Sequence, residues 1–227
     1  MKKLLLLHGA LGAKSQFAKL EALLSNRFEV HLMDFTGHGL NDIPEVPFSI
    51  EMFSGDIESW INENSTEPVN IFGYSMGGYV ALHYAKYNPG KIDKIFTLAT
   101  KFEWTPAGAA REAKMLDAAK IKEKAPRFAE DLSARHGAKW EKILEKTAEM
   151  MMALGNRNVL QQEDLSGIEC EVLIGIGDRD KMVTIEESVA AYRLLKNGKL
   201  LVIPDTPHPF EQAEASRLAF EINEFME

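Results

Sequence analysis

A serine hydroxyl attacks poorly until a base takes its proton, and the base needs a carboxylate to hold its tautomer. The chain places all three kinds of group beside short apolar runs. Ser75 stands in Gly73-Tyr74-Ser75-Met76-Gly77-Gly78, directly after the apolar run Val69 to Phe72 and at the start of a helical pattern. Strand, sharp turn, helix is the setting in which Gly-x-Ser-x-Gly lifts a serine above a sheet edge. Gly73 and Gly77 leave room where side chains would collide, and the helix start presents NH groups and a positive dipole end. Six histidines compete for the role of base: His8, His31, His38, His83, His136 and His208. His31 falls inside a strand, His83 two turns down the helix and His136 in a long helical stretch. His208, in Pro204-Asp205-Thr206-Pro207-His208-Pro209, leaves the last apolar run on the side where Ser75 emerges, which makes it the best-placed base. Two carboxylates, Asp178 and Asp180 of Gly177-Asp178-Arg179-Asp180, leave the preceding run on that same side.

The elements that must position these groups are legible as six continuous apolar runs: Lys3 to Leu7, Glu29 to Asp34, Val69 to Phe72, Lys94 to Ala99, Glu171 to Ile176 and Lys199 to Ile203. Continuous rather than alternating runs read as strands buried on both faces of a parallel sheet. Helical patterns follow at Phe17 to Leu24, Ile50 to Asn62, Met76 to Tyr87 and Phe210 to Met226. The succession predicts an α/β fold with right-handed crossovers. It breaks between Phe102 and Ile168, a helical stretch with Pro126 suited to a helix start, Gly137 to a helix end, and one stripe of Trp140, Ile143, Leu144, Thr147, Met151 and Leu154. The expected division is a core of residues 1–101 and 167–227 with a helical cap insertion over 102–166. Met150-Met151-Met152 reads either as packing of that stripe or as an adaptable wall over a pocket.

Composition narrows the function classes. The 34 Asp and Glu against 26 Lys and Arg leave a net charge of -8 over 227 residues, with no basic cluster of the kind that neutralises phosphates. Nucleic acid is not an expected partner. No run approaches the roughly 18 apolar residues of a membrane span, and the Lys2-Lys3-Leu4 opening stops after four leucines, short of a secretion signal. Cys170 is the single cysteine, and no Cys and His set has zinc-ligand spacing, so a reducing, cytoplasmic setting is expected and no metal or organic cofactor.

With these residues in order, the chain resembles the α/β-hydrolase superfamily over nearly its whole length. Leu7-His8-Gly9-Ala10 is similar to its oxyanion loop and Asp34-Phe35-Thr36-Gly37-His38-Gly39 to its Asp-x-x-Gly-x-Gly loop. The resemblance implies Ser75 as nucleophile, His208 as base and Asp180 as acid, since Gly177, Met182 and Val183 fit the run that carries the acid in relatives. It further implies an oxyanion hole from the backbone NH groups of Ala10 and Met76, and loop-bracing roles for His8 and His38. Leu11, Trp104, Met151 and Met182 are the expected pocket residues.

The reading is a serine hydrolase that cleaves an ester or thioester of a small, mostly apolar substrate through an acyl-enzyme. Two other readings share the sequence. A lyase similar to the menaquinone-pathway synthase that eliminates pyruvate would use the same triad, although the arginine that commonly follows the elbow glycines there is Tyr79 here. A relative that only binds its ligand would not need an activated serine. Asp180→Asn should damage turnover far more than Asp178→Asn, because only the carboxylate that orients His208 controls its tautomer; steady-state kinetics of the two variants would expose a misassigned loop if the order were reversed.

Overall fold

The computed structural model describes residues 1–227. Six parallel strands form one sheet: β1 Lys3–Leu7, β2 Glu29–Met33, β3 Val69–Tyr74, β4 Ile92–Leu98, β5 Glu171–Gly177 and β6 Gly198–Ile203, in the order β2-β1-β3-β4-β5-β6. The chain runs from β1 outward to β2, then returns to lay β3 on the other side of β1. Loops leaving the carboxyl ends of β1 and β3 therefore diverge over a crevice, the place where open α/β sheets bind ligands.

Ten helices accompany the sheet. Those of the core are α1 Ala18–Leu24, α2 Ile50–Asn64, α3 Met76–Tyr87, α9 Ile185–Leu194 and α10 Ala215–Met226. Between β4 and β5 lie α4 Pro106–Ala113, α5 Ala118–Lys124, α6 Pro126–His136, α7 Trp140–Asn156 and α8 Gln162–Ser166. Pro106 and Pro126 each occupy a first turn, where a missing NH costs nothing, and the Thr105 hydroxyl caps α4 by accepting from Gly108 NH at 3.1 Å.

The leucines of β1 show how the sheet divides the interior. Leu4 and Leu6 face α1 and α10, joining Phe17, Phe72, Leu218 and Ile222, while Leu5 and Leu7 face α2 and α3, joining Phe53, Ile57, Ile71 and Val80. A strand with apolar residues at every position serves both faces. The α7 stripe, with Trp140, Ile143, Leu144 and Leu154, is continuous with the α2 and α3 side.

Three expectations change in detail. The edge strands β2 and β6 are only partly buried, because each lacks a neighbour on one side. The last helix starts at Ala215; Phe210–Gln212 is a separate 3-10 turn that carries the chain over from the β6 loop. Helix α9, between β5 and β6, was outside the predicted helical set.

Inserted helices α4 and α7 approach closely at Gly155, where a Cβ would crowd the Ala109 side chain and stand 2.9 Å from the Thr105 carbonyl oxygen. Gly155→Val should cost about 1–3 kcal/mol in urea unfolding through overpacking. Gly55→Ala, in α2 with open space around the new methyl, should instead stabilise by about 0.5–1 kcal/mol.

Candidate active site

Ser75 sits between the end of β3 and the start of α3 with φ 50° and ψ -114°, a left-handed conformation that a side-chain-bearing residue adopts only under constraint. The constraint is visible. Ser75 NH donates to the Leu98 carbonyl of β4 at 2.7 Å, and the Ser75 carbonyl accepts from the Thr100 hydroxyl at 2.9 Å. A Cβ on Gly73 would lie 2.5 Å from Gly78 Cα, and one on Gly77 would collide with the Leu7 carbonyl. Helix α3 can start this close to the sheet only because both positions lack side chains.

His208 and Asp180 meet from different loops. The Asp180 Oδ2 accepts from His208 Nδ1 at 2.7 Å, while its Oδ1 accepts from the NH groups of Met182 and Val183 at 2.8 and 2.9 Å. Burial pushes the Asp180 carboxyl up. The hydrogen bond and charge of His208, with the two NH groups, outweigh that and hold it below the ordinary carboxylate value. Asp178 takes no part; its carboxylate lies near Arg179, which also pairs with Asp205. The two loops are bound together by Asp178 NH to Ile203 O and Arg179 NH to Thr206 O, at 3.1 and 3.2 Å. Tyr74, the residue before the serine, donates its hydroxyl to the His208 carbonyl at 2.9 Å and so anchors the histidine loop to the strand that carries Ser75.

Ser75 and His208 line one crevice together with Ala10, Ile50, Met76, Tyr79, Lys101, Trp104, Glu112, Met150, Met151, Leu154, Met182 and Val183. The two side chains are not hydrogen-bonded to each other; contacts of this kind often tighten only around substrate. Met76 NH is the first of α3 and has no intrahelical acceptor, and Ala10 follows β1 across the same crevice, so both backbones border the space above Ser75. Free volume is about 50 Å³, room for a few waters. Met150, Met151 and Met182 border this space, and unbranched thioethers repack readily.

The description of a fold with β3, Ser75 and α3 in this relation coincides with a family model for the alpha/beta hydrolase fold over residues 2–133. The chain belongs to the alpha/beta hydrolase family. A pimeloyl-[acyl-carrier protein] methyl ester esterase of Neisseria meningitidis is 26% identical over the whole of this chain and 94% of its own length. An uncharacterized protein of Mycobacterium tuberculosis is 29% identical over 96 residues; the match spans 42% of this chain and only 28% of that relative. Among solved structures, the enol-lactonase of Burkholderia xenovorans superposes with a TM-score of 0.80 at 19% identity, over 99% of this chain and 91% of that one. An esterase of Thermogutta terrifontis gives 0.76 at 24%, over 100% and 89%. At such identities the structures share the fold alone.

Within this hydrolase fold, Trp104, Met151 and Met182 line the crevice, whereas Leu11 does not. Leu11 is buried with φ 60°, and its carbonyl accepts from His136 Nε2 at 2.9 Å, so it serves the loop rather than the pocket. Sequence reasoning missed Lys101, Glu112 and Ile50 as lining residues. Tyr79 also borders the crevice, and its hydroxyl is engaged by Asn158 and by Leu160 NH, leaving no cation at that position. No helix is long and apolar enough to cross a membrane.

Three buried histidines brace the loops around the crevice. His8 Nε2 accepts from Phe35 NH at 3.1 Å, so Nδ1 carries the proton and donates to Gly9 O at 2.8 Å. His136, from the inserted α6, accepts from Gly39 NH at 3.0 Å on Nδ1 and donates from Nε2 to Leu11. His38 packs between them, with ring centroids 5.0 Å from His8 and 5.9 Å from His136. Burial lowers all three pKa values, that of His8 to about 4, and the rings are neutral in the fold. The unfolded chain therefore takes up protons first as pH falls. For His8 the stabilisation is full above the ordinary histidine value of 6.5 and is lost progressively from there toward about 4, and His38 and His136 act in the same direction. Thermal unfolding followed by circular dichroism should show the melting temperature falling by several degrees across that window, with a shallower slope in His136→Gln; a flat profile would contradict the assignment.

Proposed function

We propose that the protein is a serine hydrolase that cleaves a carboxylic ester or thioester of a small, mostly apolar substrate through an acyl-enzyme on Ser75. The observation that carries the reading is the 2.7 Å contact of His208 Nδ1 with a buried, multiply hydrogen-bonded Asp180, with His208 lining one crevice together with the strained Ser75. The Asp180 carboxylate holds the proton on Nδ1 and leaves Nε2 as the base. His208 then takes the Ser75 proton as Oγ adds to the carbonyl carbon, and the oxyanion develops between the NH groups of Ala10 and Met76. Collapse expels the alcohol or thiol with the proton from His208. A water, deprotonated by the same ring, releases the acid and restores the serine. A serine rather than an aspartate at the elbow directs the chemistry to acyl transfer and away from the alkyl-enzyme esters of a carboxylate nucleophile.

Relatives named as esterases support the reaction class, and the methyl ester esterase aligned along the whole chain is the relative most in keeping with it. Residues 102–166 act in this reading as a cap that selects the substrate, because Trp104, Glu112, Met150, Met151 and Leu154 all come from it. A reducing, cytoplasmic setting goes with the single cysteine, Cys170, whose half-buried thiol is pushed up to about 12 by burial and is poorly reactive.

Ser75→Ala should lower kcat on 4-nitrophenyl esters by about 10³-fold or more and abolish labelling by a fluorophosphonate, with the melting temperature little changed. Turnover should survive dialysis against EDTA. Wild-type rates in purified Ser75→Ala would refute the mechanism.

A further inference from the structure

Two polar atoms of the crevice residues are buried with no partner at all: Trp104 Nε1 and Glu112 Oε2. Buried polar groups are normally satisfied, so each orphan invites a partner that the protein does not supply. Glu112 is the more telling of the two. Its side chain is 5% exposed and sits near the end of α4; Oε1 lies 3.5 Å from the guanidinium of the exposed Arg111, and Oε2 is the oxygen left unpartnered. A carboxylate serves no packing purpose among Met150, Met151 and Leu154, where a leucine would fill the space without a desolvation penalty. Trp104, on the segment that leads into α4, offers an NH donor with nothing to receive it.

The neighbouring cation is committed elsewhere. Lys101 lies against the Trp104 ring, 6.0 Å from its centroid, and its ammonium is shared between Glu187, at 3.5 Å, and the Met182 carbonyl. Glu187 is itself buried and also accepts from the NH groups of Phe102 and Glu103 at 2.5 and 2.6 Å. Apart from Ser75 and His208, the polar side-chain atoms of the crevice residues left without a partner are thus one carboxylate oxygen and one indole NH.

We propose that Glu112 and Trp104 form a polar subsite for a neutral group that both donates and accepts hydrogen bonds, a hydroxyl or an amide, carried by the substrate away from its scissile carbonyl. The inference rests on the hydrolase reading for the place of the scissile bond. An ammonium would satisfy Glu112 and leave Trp104 without an acceptor; a carboxylate or an ether would do the reverse. The substrate class is accordingly an ester or thioester with an apolar body and one remote hydroxyl or amide, rather than a plain alkyl ester. Glu112 and Trp104 are specificity residues, and the acyl-transfer steps do not pass through them.

The test is a set of 4-nitrophenyl alkanoates of four to eight carbons with the chain ending in methyl, hydroxyl, methoxy or ammonium, compared by kcat/KM. Matching methyl ketones, titrated calorimetrically into Ser75→Ala, read the same preference without turnover. At one chain length or more, the hydroxyl compound should exceed the other three by at least about tenfold, because a site built to bond a hydroxyl rejects analogues that lack it. Glu112→Leu should bring the hydroxyl-to-methyl ratio to one or below, Glu112→Gln should retain part of it, and Trp104→Phe should reduce it, in proteins with wild-type circular dichroism. Hydroxyl no better than methoxy in both assays, or a ratio unmoved in Glu112→Leu and Trp104→Phe, overturns the subsite. Selective ketone binding in a protein whose Ser75 neither turns over esters nor takes a fluorophosphonate would instead overturn the hydrolase reading and leave the subsite standing.

Discussion

The close approach of α3 to β1 and β3 is the constraint on which the site depends. A serine at φ 50° and ψ -114° costs on the order of 1–3 kcal/mol and persists only where the surroundings over-determine it. Here Ser75 is held by its NH to β4, by the Thr100 hydroxyl on its carbonyl, and by glycines at 73 and 77 that let a helix begin where strands are still in contact. Relaxing any of these would let the turn unwind and move the hydroxyl away from the carboxyl edge. Met76, whose NH begins α3 without an intrahelical acceptor, borders the same crevice as Ser75.

The second half of the site is assembled by loop-to-loop bonding rather than by regular structure. Asp180 and His208 leave adjacent strands, and two backbone hydrogen bonds join their loops before the side chains meet. Gly177 makes that possible, since a Cβ there would run into the Thr206 carbonyl. Tyr74 then ties the His208 loop to the strand that carries Ser75, so the relative places of Ser75, Asp180 and His208 are set by β3, β5 and β6 of one sheet, with β4 between the first two. Rigid elements hold such constellations more accurately than free loops do.

Much of this was legible in the sequence, for physical reasons that differ from element to element. Continuous apolar runs identified every strand, because a parallel sheet covered on both faces tolerates little else, and boundaries moved by one or two residues, most in the central β3 and β4, where backbone pairing runs past the ends of the apolar run. Gly73, Ser75 and Gly77 announced the elbow because no other turn needs that spacing in that context. Helix α9 was missed although Thr184 and Glu187 carry the Ser/Thr-x-x-Glu signature of a helix start; the Thr184 hydroxyl does cap it, while Glu187 is diverted to Phe102 and Glu103. Leu11 was misplaced and Lys101, Glu112 and Ile50 went unnoticed for one reason. Pocket lining is decided by how inserted helices pack on the core, and no local periodicity encodes that.

Three buried polar links bind the inserted helices to the core at separate corners: His136 to Leu11 and Gly39, Lys146 to the carbonyls of Glu45 and Val46, and Glu187 to the segment entering α4. Swinging α4 to α8 away as a rigid lid would break all three together, leave a lysine and an imidazole without their partners and strip Glu187 of two backbone donors. Rigid-body opening of the insertion therefore carries the cost of uncovering those groups.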